Sequence, residues 1–379
     1  MPSRIPVHEP DFGEAEIEFV VAALRRGELS GSFGTALPEF EEKFANYVGC
    51  KYGVAVSNGT TALQIAVRAA DIGRGDEVLM SASTNIATAL AAYHNGAISV
   101  AVDSETVTWN LDVELIESLI TPRTRAIIPV HLFGHPAPMD RIMEIARAHD
   151  LVVIEDCAES HGATWKGQMT GSFGDMSCFS FYVNKIITTG EGGMVCTNDE
   201  KLAAKLRMLR NLGFGKPRFF HPVPAYNFRM TGYQAAMGLA QLKRIEEFLV
   251  KKRRVAHAYN AILQDVPGLQ LPVELPGARN VYWMYAITVQ PEFGMSRDDL
   301  VEVLLEQGIE TRTFFCPMNQ QPFLIAQEGA HMAPCPVADR IWETGLYLPS
   351  ANQLDTATIE KICGVIADAS RQRLGNVHS

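Results

Sequence analysis

From Tyr52 onward, short apolar runs alternate with amphipathic stretches. Tyr52–Ser57, Glu77–Met80, Ile98–Val102, Ala126–Val130 and Leu151–Ile154 are apolar and too brief for helices, so they read as buried strands. Between them Thr60–Ala70, Ile86–His94, Asp112–Ile120 and Met139–His149 carry helical spacing. This alternation predicts βαβ units, hence an α/β fold with a mostly parallel central sheet and helices on both faces. Two amphipathic helices, Glu14–Arg26 and Leu37–Val48, are predicted ahead of it, separated by a flexible Gly-rich loop over 27–34. After Gly162 the spacing shortens, and Met176–Val183 and Gly193–Cys196 read as adjacent strands. Glu200–Arg210 is helical, and residues 213–229, rich in aromatics and proline, read as a long functional loop. Met230–Leu263 reads as one continuous helix that leads out of the large lobe. A strand over Tyr282–Val289, a helix over Arg297–Gln307, a strand over Glu310–Phe314 and a helix over Thr356–Ala369 then predict a small C-terminal α+β lobe. The expected division is a large domain over 1–250 and a small one over 251–379.

Composition narrows the class. The chain has 379 residues, 47% hydrophobic and 20% charged, which fits an ordinary globular protein with a large core. A net charge of -10 argues against nucleic acid or an anionic membrane as partner. The seven cysteines are scattered and form no CxxC pair, which points to a reducing compartment without a disulfide framework or zinc site. The opening residues have no apolar signal core and no run approaches a membrane span, so a cytoplasmic location is expected.

Three candidate sites fall at the C-terminal ends of predicted strands, where open α/β sheets bind ligands. Ser57-Asn58-Gly59-Thr60-Thr61 joins a strand to a helix and offers free N–H groups and hydroxyls to an anion. A plain N-cap by Ser57 or Asn58 explains the same residues, and both readings stay open. Leu151–Ile154 runs into Glu155 and Asp156, with Glu159 and His161 close behind. A buried Asp there could hold a heterocyclic nitrogen in its protonated form. Metal binding competes, but consecutive strand residues face opposite ways and no HExxH spacing is present, so no metal is expected. The third site is Lys185, at the end of an apolar strand and ahead of Gly190-Glu191-Gly192-Gly193. Burial would leave it a neutral amine suited to Schiff-base chemistry, whereas a solvent-facing lysine at a strand end is the ordinary alternative. An anion cradle, an acidic strand end and a lysine, in that order, match what pyridoxal phosphate requires.

Those stretches, with Gly75–Val78, Pro129–Gly134, Gly171–Asp175, Phe179–Phe181, Thr189–Gly193 and Tyr226–Met230, carry a resemblance over essentially the whole chain. The sequence resembles the DegT/StrS-type pyridoxal-phosphate-dependent sugar aminotransferases, which have the aspartate aminotransferase-like (type I) fold. Residues 184–194 are most similar to the branch that aminates C4 of GDP-4-keto-6-deoxymannose. The resemblance implies that Lys185 carries the coenzyme and moves protons, Asp156 pairs with its ring nitrogen, and Glu159 approaches its ring hydroxyl. It implies that Asn58, Gly59, Thr60 and Ser180 bind the coenzyme, with Gly59, Thr60 and Ser180 at its phosphate. It places Asn227 on the phosphate of the neighbouring subunit, in a homodimer with shared active sites. L-Glutamate would be the amino donor and a nucleotide-linked keto sugar the acceptor. Two positions depart from the family pattern: Asn85 stands where many relatives have a stacking aromatic, and Asn319 where a histidine is common. The alternatives are another nucleotide-linked keto sugar, a sugar dehydratase on the same fold, in which a histidine typically replaces the lysine, and a non-catalytic regulatory relative.

Overall fold

A computed structural model describes residues 4–330 and 332–377. Helices α1 (Glu14–Arg25) and α2 (Ala36–Val48) come first. Strands and helices then alternate as the apolar pattern predicts: β1 (Tyr52–Val56), α3 (Gly59–Ala69), β2 (Glu77–Ser81), α4 (Ala87–Tyr93), β3 (Ile98–Val102), α5 (Val113–Leu119), β4 (Thr124–Ile128), α6 (Met139–Ala148) and β5 (Val152–Asp156). A hairpin of β6 (Thr164–Trp165) and β7 (Gln168–Met169) precedes β8 (Met176–Ser180) and β9 (Gly193–Thr197). Helices α7 (Glu200–Arg210), α8 (Gly232–Lys243) and α9 (Ile245–Leu263) follow. The remainder comprises β10 (Leu269–Gln270), β11 (Ala278–Arg279), β12 (Tyr285–Val289), α10 (Arg297–Glu306), β13 (Arg312–Thr313), α11 (Pro322–Ile325), α12 (Pro336–Thr344), β14 (Gly345–Leu348) and α13 (Thr356–Val377).

The large sheet has seven strands in the order β1-β9-β8-β5-β4-β2-β3. Only β9 runs against the rest, paired antiparallel with both β1 and β8. The C-terminal ends of β1, β2, β4, β5 and β8 therefore open on one rim. Alternation along each strand divides the core. Val54, Ile154, Cys178 and Val195 share one cluster with α3. Phe179 and Met194 face the other way, into α2 and α8. There Phe44 meets Phe179 and Phe181 edge-on, with ring centroids 4.9 and 5.0 Å away. The small sheet is antiparallel, β10-β12-β14-β13, and α9, α10 and α13 bury its apolar face.

Four expectations need correction. The predicted helix over 230–263 is two helices, broken at Arg244 (φ −105°, ψ 2°). Its guanidinium reaches Asp11, Glu16 and Glu247, so contacts from the N-terminal segment accompany a break that no glycine or proline signals. The strand carrying Lys185 ends at Ser180. Beyond it Phe181 N–H bonds Gly192, while Thr189 N–H and the Thr188 hydroxyl both bond the Phe181 carbonyl, closing a loop that carries the lysine. The strand predicted from Tyr282 starts at Tyr285, because Tyr282 is left-handed (φ 49°). The strand predicted over 310–314 shrinks to Arg312–Thr313, an edge beside β14, and the pattern missed β14 altogether.

His161 is fully buried among Phe44, Phe179 and Phe181. Neither ring nitrogen has a hydrogen bond of good geometry. Burial, with a smaller push from the Lys185 charge, lowers its pKa from 6.5 to about 3. The unfolded chain therefore takes up a proton that the folded chain refuses, and stability falls as pH drops from 6.5 toward 3. This one group should account for about 2–3 kcal/mol between pH 6.5 and 4.5. His161→Phe should remove that part of the pH dependence, so urea titrations at the two pH values should show the wild type losing more stability than the variant.

Candidate active site

The rim of the large sheet and three aromatic residues, Trp283, Phe315 and Tyr347, enclose a cavity of about 400 Å³. Its floor is built from strand ends. β1 ends in an all-apolar run, and the chain turns at Ser57 and Asn58 into α3. Asn58 is extended (φ −168°), and its side-chain oxygen caps the helix by accepting from Thr61 N–H at 2.9 Å. The Thr61 hydroxyl lies 3.3 Å from Asn58 N–H and completes a capping box. The N–H groups of Gly59 and Thr60, at the first turn, keep no intrahelical acceptor and sit at the positive end of the helix dipole. Both sequence readings of this stretch thus describe it, the cap at Asn58 and the anion cradle just after it. Gly59 lies against the end of β8: a Cβ there would stand 2.7 Å from Ser180 Cβ. Any larger residue would drive the cradle and Ser180 apart.

β5 sends its last two residues to opposite faces. Glu155 turns away from the cavity and accepts from the N–H groups of Gly171, Phe173 and Gly174 at 2.7–2.8 Å. It also meets His131 Nε2 at 3.2 Å. His131, Glu155 and Cys157 place potential metal-ligand atoms within 4.8 Å of one another. Two of the three residues are already engaged: Ala137 N–H donates to His131 Nδ1, which leaves the proton on Nε2 for Glu155. Asp156 faces the cavity and is buried. Its carboxylate accepts from the Thr88 hydroxyl at 2.8 Å and from Ala158 N–H at 3.1 Å. Burial raises its pKa, while these two donors and the nearby Lys185 charge act against the rise.

Glu159 is buried and accepts from Phe133 N–H at 2.7 Å. Phe133 is left-handed (φ 53°). Burial raises the Glu159 carboxyl, with Lys185 opposing. Lys185 is half-buried, and burial lowers its amine pKa against the pull of Glu159 and Asp156. Carboxyls that resist ionising and an amine that resists protonation are thereby brought together in one cavity.

Of the residues singled out in the sequence, Asn58, Gly59, Thr60, Asp156, Glu159, Ser180 and Lys185 line this one cavity. Asn227 does not. It is exposed, in a bridge to Asn211 on the 213–229 loop, which is pinned to the end of β1 by Ser57 N–H and the Phe228 carbonyl. Asn85 lines the cavity, whereas Asn319 bonds Asp339, and Phe315 supplies the wall from that stretch. The sequence reading missed Thr88, Trp283 and Tyr347. Thr84 and Thr88, four apart with hydroxyls 3.0 Å from each other, were a usable signal. Trp283 and Tyr347 come from distant parts of the chain and carried none.

Comparison with known proteins agrees with this geometry. The chain is 43% identical over 368 residues to the GDP-perosamine synthase of Caulobacter vibrioides, covering 96% of this chain and 97% of that protein. It is 40% identical over 340 residues, 89% of each chain, to the UDP-N-acetyl-3-dehydro-alpha-D-glucosamine 3-aminotransferase of Acidithiobacillus ferrooxidans. A Streptococcus pneumoniae chain described as a sugar aminotransferase, solved in its PLP form, superposes with a TM-score of 0.90 at 27% identity, over 97% of this chain and 99% of that one. Residues 10–367 match the DegT/DnrJ/EryC1/StrS aminotransferase family, to which this chain belongs as a pyridoxal-phosphate-dependent sugar aminotransferase of the type I fold.

Proposed function

We propose that the enzyme transfers the amino group of L-glutamate to C4 of GDP-4-keto-6-deoxymannose. One observation carries the aminotransfer: a single lysine amine shares a cavity with two buried carboxyls and a helix N-terminus. The residues fit pyridoxal phosphate. The Gly59 cradle has room for a phosphate only because it lacks a Cβ, and Asn184 Oδ1, on the cavity wall, is buried without a partner. When bound, the coenzyme supplies an electron sink that stabilises negative charge at the donor's Cα. Gly59 and Thr60 N–H groups and the Ser180 hydroxyl would hold its phosphate. Asp156, whose carboxylate form Thr88 and Ala158 support against burial, would keep the ring nitrogen protonated. Glu159 would face the ring hydroxyl. Lys185 Nζ would bear the coenzyme, then take the proton from the donor's Cα and return it on the coenzyme side.

The choice of acceptor rests on the 43% identity to a GDP-perosamine synthase, together with the resemblance noted in residues 184–194. The 40% identical UDP-sugar enzyme supports a second reading with a different nucleotide and a different carbon. We place the active form as a homodimer. Phe33, Phe219 and Phe220 are 74%, 71% and 55% exposed, an apolar surface more usual at an interface than on a monomer. The exposed Asn227 is then available to the neighbouring subunit's site.

Four outcomes are expected. With added pyridoxal phosphate the purified enzyme should show a visible absorbance band that L-glutamate bleaches. GDP-4-keto-6-deoxymannose should restore the band faster than UDP- or dTDP-linked keto sugars; faster recovery with a UDP sugar would favour the second reading. Thr88→Val removes a hydrogen bond to a buried carboxylate, so kcat should fall by about tenfold or more without loss of fold, since such bonds contribute about 1.5–3 kcal/mol. Heterodimers of Lys185→Ala and Asn227→Ala subunits should recover about half the wild-type rate, because a two-fold assembly then holds one intact site and one doubly altered site. If Asn227 acts in its own subunit, the heterodimer will not exceed the average of the two parent homodimers.

A further inference from the structure

Lys185 Nζ has no ion pair and no hydrogen bond among the described residues, although Asp156 and Glu159 share its cavity. Its partner is a ring. The amine lies 3.9 Å from the centroid of the Trp283 indole, within cation–π range. Trp283 is 3% exposed, and every polar atom it has is tied. Its N–H bonds the Phe133 carbonyl at 2.9 Å. Its carbonyl accepts from the buried Lys252 amine at 3.0 Å. Its indole Nε1 donates to the carbonyl of Asn184 at 2.7 Å. Phe133 lies nearly parallel to the ring, 13° between planes and 6.4 Å between centroids. One fixed side chain thus grips the backbone just before the lysine and also faces the lysine's amine.

We infer that Trp283 is a positioning residue: its ring face is the resting place of the Lys185 amine whenever the lysine is not joined to the coenzyme. The inference rests on the reading of Lys185 as the coenzyme-bearing amine. The physical reason lies in what the alternatives would do. An ammonium locked against Asp156 or Glu159 would lose its nucleophilicity and occupy the carboxylate meant for the ring nitrogen. An amine loose in the cavity would lose orientation in each half-reaction. A ring face leaves both carboxylates free and accepts no proton, and it stabilises the ammonium less than a carboxylate would. The indole bond to Asn184 keeps the lysine's backbone in register meanwhile.

The test uses the full-length chain freed of coenzyme, as wild type, Trp283→Phe, Trp283→Leu and Trp283→Met. The pH dependence of Lys185 acetylation by acetic anhydride, read by peptide mass spectrometry, gives the pKa of that one amine. The charged and titratable groups facing it, Asp156, Glu159, His161 and His8, are the same in all four. The ring stabilises the ammonium, so Trp283→Leu and Trp283→Met should each lower the Lys185 pKa by about half a unit to one unit. Trp283→Phe, which keeps a ring face but loses the indole N–H, should shift it by less than half as much. Equal shifts in all three variants, no shift, or a rise would overturn the inference. Near-UV circular dichroism checks folding, and either aliphatic variant that folds is sufficient; if both unfold, Trp283→Phe decides, a measurable fall of less than half a unit supporting the inference and no change, a rise or a larger fall overturning it. Borohydride reduction after adding pyridoxal phosphate provides the separate check: failure to label Lys185 in the wild type would sink the coenzyme reading itself, whatever the titrations show.

Discussion

The site depends on keeping ionisable groups from water at the end of a parallel sheet. Asp156 and Glu159 are both buried, and Lys185 is half-buried beside them. Desolvation alone would discharge all three, as carboxylic acids and a free amine. The structure opposes that tendency unequally. Asp156 receives a hydroxyl and a backbone N–H, Glu159 a single N–H, and Lys185 a ring face and the pull of the two carboxyls but no hydrogen bond among the described residues. The graded support leaves Asp156 best equipped to stay charged and Lys185 best equipped to be neutral. That order is the one the chemistry needs.

The fold arranges this through strand direction. β5 and β8 run in parallel, so Asp156 and Ser180 end on one rim, and β1 ends there too, turning into the exposed first turn of α3. The reversed strand, β9, lets the chain return directly from the lysine loop to the sheet. Gly193, its first residue, pairs with both Val56 and Ser180. A Cβ there would lie 2.4 Å from the Asn58 carbonyl, so this glycine is what allows the cradle, β8 and the lysine loop to close on one another.

Much of this was legible in the sequence because it is local. Apolar runs of strand length gave the sheet, the Asn58–Thr61 spacing gave the helix cap, and adjacent Glu155 and Asp156 had to face opposite ways. Their fates bear that out: Glu155 is bonded behind the sheet, while Asp156 lines the cavity. What was not legible is tertiary. The apolar run Phe181-Tyr182-Val183 reads as more strand, yet Tyr182 and Val183 are partly exposed on the lysine loop. The break at Arg244 coincides with bonds to Asp11 and Glu16, more than two hundred residues earlier. β14 lies centrally in the small sheet although Gly345-Leu-Tyr-Leu348 is too short to stand out as a pattern.

This division between local and tertiary residues also bears on specificity. The ionisable groups Asp156, Glu159 and Lys185 come from the large sheet and its loops. The opposite wall comes from Trp283, Phe315 and Tyr347, which belong to or flank the small sheet. Asp156 and Glu159 take their hydrogen bonds from Thr88, Ala158 and Phe133 rather than from these three rings, although Phe133 packs against all of them. A family built this way can retain one amino-transfer chemistry while its members differ in the nucleotide sugar, as the names of the two relatives at 43% and 40% identity do. Trp283 is the exception on that wall. It is tied to Asn184 and faces Lys185, so it is held with the charged groups of the cavity, which sets it apart from Phe315 and Tyr347.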